Sequence, residues 1–125
     1  MTFKRFLVEF DTGVDLHGLD ATKASTRAVK GAMSHCCMCG LEELLGLTDP
    51  SAAMRIEVKI GCPFPERVDV AEIRKLIPFG AADVEVVAGG MLARGLHVPA
   101  LGEGDSILLA NAAVTVWIDK DQVRL

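Results

Sequence analysis

From Phe3 to Asp11 the chain alternates Phe6, Val8 and Phe10 with Leu7, Glu9 and Asp11, the period of a strand whose aromatic and apolar side is buried. Two glycines and several polar residues then make a turn through "TGVDLHGLD", and Asp20 stands where an N-cap belongs, so a helix is predicted from Ala21. On that helix Ala21, Ala24 or Ser25, Ala28 and Ala32 form a stripe of very small side chains, able to lie close against a sheet. The opposite side carries Lys23, Arg27, Lys30 and Ser34 at spacings that bring them onto one flank. "LEELLGL" resumes a helical pattern after Gly40 and stops at Gly46.

Met54, Ile56, Val58, Ile60 and Cys62 alternate with Arg55, Glu57 and Lys59, the cleanest strand signal in the chain. Asp69, with Glu72 three residues on, opens a second helix that carries Val70, Ile73 and Ile77 and ends at Pro78. "ADVEVVAGGM" and "ILLANAAVTVWID" predict two further strands, with Val84 and Val86, then Val114, Val116 and Ile118, turned inward. The glycine-rich stretch between them reads as a long loop. The prediction is one α+β domain over residues 1–125, its helices in a single layer on a mixed or antiparallel four-stranded sheet, in the order β-α-β-α-β-β.

Charge narrows the partners. Thirteen basic against 17 acidic residues give a net charge of -4, with no basic tail to follow a phosphate backbone, so nucleic acid is not expected. No apolar run approaches the roughly 20 residues needed to span a bilayer, and the N-terminal stretch turns acidic before a signal core develops. The expectation is a cytoplasmic protein that does not engage membranes, its four cysteines reduced.

The chemistry concentrates in "SHCCMCG", residues 34–40. Zinc is disfavoured by spacing, because three thiols crowd together and Cys62 stands alone, where structural zinc takes two separated pairs. No metal site and no cofactor are expected, since phosphate-loop, dinucleotide and HExxH signatures are all missing. Met33, Cys36, Cys37 and Met38 suit soft helix filler, whereas Ser34 and His35 end the cationic flank and are assigned as catalytic, with His17 from the first loop. Asp15, Lys23, Arg27 and Asn111 are assigned to ligand binding: the cations favour a small anionic or imide-like molecule, with Ser34 or Cys37 as nucleophile for an amide-like bond. A chain this short has little room for a private pocket, so the site is expected between subunits of a homo-oligomer, a trimer ahead of a dimer. Two other readings stand beside it: a non-catalytic structural or partner-binding domain, and a thiol-based redox or metal protein.

"FKRFLVEFDTGVDLHGLDATKASTRAVKGAMSHCCMCGLEELLG", with the later "EVVAGGM" and "ANAAVTV", resembles the Lin0512 family of small prokaryotic proteins over nearly the whole chain. That resemblance implies one full-length domain and names no catalytic residue. In element order and size the chain is also similar to the repeating unit of the cyanuric acid hydrolase and barbiturase group, where a serine and lysine pair attacks a cyclic amide between units. Here Ala88 precedes the two glycines where that group has its serine, so no residue role transfers.

Overall fold

The computed structural model describes residues 1–78, 81–101 and 104–125. Strand β1 (Phe3–Asp15) leads into helix α1 (Ala21–Met33), followed by the short helices α2 (Gly40–Glu43) and α3 (Pro50–Ala53). Strand β2 (Met54–Cys62), helix α4 (Val70–Arg74) and strands β3 (Ala81–Ala88), β4 (Met91–Arg94) and β5 (Ser106–Asp119) complete the chain. The strands form one mixed sheet ordered β1-β5-β2-β3, with β4 also paired to β5. β5 runs antiparallel to β1, β2 and β4, while β2 and β3 are parallel.

The fold class stands as α+β, but the sheet has five strands rather than four. The extra one, β4, lies inside the stretch expected to be loop, of which residues 102 and 103 fall outside the described residues. Two glycines make it possible. β2 ends beside Asn111 of β5, and β4 takes over the same flank from Leu109, so the chain must step across at Gly89 and Gly90. A Cβ on Gly89 would sit 2.9 Å from the Gly61 Cα, and Gly90 has φ +63° with the Leu109 carbonyl against it.

Helix α1 begins at Ala21, where the Asp20 carboxylate accepts the Lys23 N–H at 3.0 Å. Ala21, Ala24, Ser25, Ala28 and Ala32 are buried against β1 and β5, as the small-residue stripe predicts. α4 is opened by Asp69, which accepts from Ala71 and Glu72, and plants Ile73 in the core. Met54, Ile56, Val58, Ile60 and Cys62 of β2 meet Ala112, Val114, Val116 and Ile118 of β5 beneath this helix layer, in one continuous cluster.

β1 is turned over relative to its apolar pattern. A register shift between Arg5 and Leu7 sets the pleat so that Glu9, Asp11, Gly13 and Asp15 stand opposite Val114, Ala112, Ala110 and Leu108, the buried side of β5. Val8 and Phe10 therefore point to the opposite face, where no helix among the described residues covers them, and Phe6 at the bulge is exposed as well; Phe10 is 70% accessible. The reason is space. α1 lies so close that a Cβ at Gly13 would collide with the backbone of Ala24 and Ala28, leaving no room for aromatic rings in that row.

Candidate functional site

With β1 so oriented, its acidic residues run beneath α1 in the order Asp15, Asp11, Glu9 from the helix start to its end. Gly31 opens the helix surface for the middle one: a Cβ there would overlap the Asp11 carboxylate. Asp11 Oδ2 reaches Nε2 of His35 at 3.0 Å, while Oδ1 accepts the Thr12 N–H at 2.8 Å. The backbone hydrogen bond first, and the imidazole second, hold the Asp11 carboxyl below the usual carboxylate range.

The flank above carries Lys23, Arg27 and Lys30, all exposed, and none forms an ion pair among the described residues. Arg27 Nη1 donates to the Val14 carbonyl at 2.7 Å, which holds the guanidinium over the edge of β1. Ser34 caps the helix end, and its hydroxyl donates to the Lys30 carbonyl. Its proton is committed there rather than to His35, which is not the arrangement of an activated nucleophile.

The structure thus brings Arg27, Ser34 and His35 onto one flank, with Lys23 at its far end, and separates the other assigned residues from that end. Asp15 is buried, its Oδ2 accepting the Asp20 N–H at 2.7 Å, and so closes the first loop. His17 lies in that loop with Nδ1 buried and lacking a hydrogen-bond partner among the described residues. Both stand at the start of α1, about 20 Å from Ser34 and His35 by the length of a 13-residue helix, so the expected joint pocket of these four does not form within one chain. Asn111 is exposed on the uncovered face, opposite Thr12 and Gly61, with the thickness of the sheet between it and α1.

The cysteine turn also differs from helix filler, because α1 ends at Met33 and the following residues leave the helix. Cys36, Cys37 and Cys39 are exposed and Cys62 is buried. No three His, Cys, Asp or Glu side chains converge as metal ligands among the described residues.

Two hollows lie nearby, and neither contains Lys23, Arg27, Ser34 or His35. A broad groove runs between Cys37 to Glu43 and Asp49 to Met54. A smaller cavity of about 70 Å³ sits under the end of α1, floored by Leu7, Ile56 and Val114, walled by Met33, with Glu9 and Cys36 beside it. Loss of solvent around the sulfur, then the Glu9 carboxylate, push the Cys36 thiol up. Glu9 and Asp11 were missed as site residues in the sequence. Their spacing with Asp15 on alternate strand positions was the available signal.

The fold and the site define a small single-sheet domain with an acid and imidazole pair under one helix end and an uncovered face behind, on which Val8 and Phe10 stand exposed. A family model described as "Conserved hypothetical protein (Lin0512_fam)" matches residues 5–116, and the chain belongs to that family. It is 40% identical to a crystal structure described as an FtsZ-like protein of unknown function from Nostoc punctiforme PCC 73102, with a TM-score of 0.85 over 95% of this chain and 98% of that one. Among curated proteins none matches.

Proposed function

We propose that the protein is the subunit of a homo-oligomer that packs its uncovered sheet faces together and binds a small anionic molecule along the flank of α1. The observation that carries the first half is the reversed β1: Val8 and Phe10 on an open face, with exposed Phe6 beside them, while acids occupy the covered one. A sheet with a helix layer on one side and apolar side chains on the other is half of a layered structure. A second copy is the occupant that fits. The same face carries both signs, Arg55 and Lys59 with Glu57, Asp83 and Glu85, so a symmetry-related copy can set opposite charges against each other, whereas a uniformly acidic or basic partner meets repulsion.

Trp117, the only tryptophan, is partly exposed on this face with the Arg5 guanidinium 6.0 Å from its ring centre, and reports on the contact. Acrylamide quenching of its fluorescence should be weak at high protein concentration and rise on dilution, and should be strong at all concentrations in Phe10→Asp. Quenching independent of concentration and of that substitution contradicts the assembly.

The ligand half rests on Arg27 and Lys30, exposed cations without ion-pair partners among the described residues, on the flank that leads to an imidazole held by Asp11, with Lys23 at its far end. Binding rather than hydrolysis is the better supported activity, given the committed Ser34 hydroxyl. Calorimetric titration with phosphate, acetate and succinimide tests it: one of them should bind wild type and lose affinity in Arg27→Gln. Binding by none, or binding unchanged by that substitution, removes the proposed ligand.

A further inference from the structure

We infer that the cavity under the end of α1 is a second binding site, for a short-chain primary amine whose alkyl group fills the apolar hollow and whose ammonium meets the Glu9 carboxylate. The cavity wall is built from Leu7, Ile56, Val114 and Met33, all apolar, and one carboxylate borders it. Glu9 forms no ion pair among the described residues, and its neighbour there is the Cys36 thiol, a weak donor that leaves most of the carboxylate's accepting capacity unused. A cationic head supplies what that arrangement lacks. One water takes about 10–15 Å³ on this scale, so 70 Å³ accommodates an alkyl chain of about three to five carbons and excludes larger rings.

Glu9 and Cys36 both line the cavity, Cys36 exposed and Glu9 partly exposed, so an ammonium on the Glu9 carboxylate lies beside the Cys36 thiol. The site is independent of the proposed oligomer, since the cavity lies on the helix side of the sheet and the proposed interface on the other. It is also distinct from the cationic flank, which repels an ammonium.

The test titrates ¹⁵N-labelled protein at pH 7 with n-butylamine, 1-butanol and butyrate, three probes of similar length and different charge, following the amides of Ala32, Met33 and Val114. Butylamine should bind about tenfold more tightly than butanol, a cationic against a neutral donor to the same carboxylate, and butyrate should give no saturable shift. Glu9→Gln should abolish the preference for amine over alcohol while butanol still gives a saturable shift from its alkyl chain in the hollow. In wild type, saturating butylamine should slow iodoacetamide alkylation of Cys36 several-fold without slowing Cys37 or Cys39, read by peptide mass spectrometry; this arm needs no variant. Equal affinity for amine and alcohol, tighter binding of butyrate, an amine preference that survives Glu9→Gln, or unprotected Cys36 each overturns the inference.

Discussion

Asp11 Oδ2 lies 3.0 Å from His35 Nε2, a contact that joins the middle of β1 to the turn after α1 through the gap left by Gly31. The pair ties the cysteine-rich turn to the sheet. Because the folded carboxyl of Asp11 is depressed, its stabilising contribution is present above the unfolded value near 3.8 and is lost as pH falls through the folded value. In ¹³C-detected NMR titration the Asp11 carboxyl should change below that value in wild type. In His35→Ala it should move part of the way back, since the Thr12 N–H remains as the larger cause. An unchanged midpoint in His35→Ala contradicts the pairing.

Gly13 is where α1 rests on β1. Gly13→Ala places a methyl group into the backbone of Ala24 and Ala28 and should cost about 1–3 kcal/mol or more by chemical denaturation. Gly40→Ala is the control: a Cβ there meets only Leu44, at 3.5 Å, on a short helix, and should be neutral or stabilising by about 0.5–1 kcal/mol. Equal effects of the two contradict the close approach.

Much of this architecture was legible because it rests on local rules. Asp20 and Asp69 cap helices as their side chains dictate, and the strict alternation of β2 leaves one register that buries Ile56, Val58 and Ile60. β1 misled because an apolar row does not say which face of the sheet the helices cover, and the side packed against α1 admits only small or polar residues such as Gly13 and Asp11. The bulge between Arg5 and Leu7, which sets the pleat, has no signature in composition. β4 was hidden because four residues with two flanking glycines look like a loop until β5 is in place to receive them. For the site, helix periodicity gathered Lys23, Arg27 and Lys30 correctly onto one flank. The separation of loop and turn was legible too: a helix running from Ala21 toward Ser34 puts Asp15 and His17 at one end and Ser34 and His35 at the other, about 20 Å apart, too far for one pocket.

The thiols should separate by burial. Of four cysteines, Cys37 and Cys39 should react first with a thiol reagent, Cys36 more slowly because its thiol is pushed up, and Cys62 only on unfolding. Time-resolved labelling with mass spectrometry gives the order. Rapid native reaction of Cys62 contradicts its place in the core.

Asp119 anchors the N-terminus, its Oδ1 accepting Thr2 N–H at 3.0 Å, and its carboxyl is held low chiefly by that bond. Asp119→Asn should lower the melting temperature at pH 7, and the difference from wild type should shrink as pH falls below about 3.8, where the unfolded carboxyl is protonated too. A gap that persists undiminished at pH 2 contradicts the assignment.

Sedimentation velocity at micromolar concentration tests most directly whether the uncovered face of the sheet joins copies of this chain. Wild type should sediment with at least twice the 13.3 kDa mass of one chain, and Phe10→Asp, which sets a charge among the exposed apolar side chains of β1 on the open face, should sediment as a folded monomer with an unchanged circular dichroism spectrum. A wild-type monomer, or an oligomer indifferent to Phe10→Asp, would contradict it.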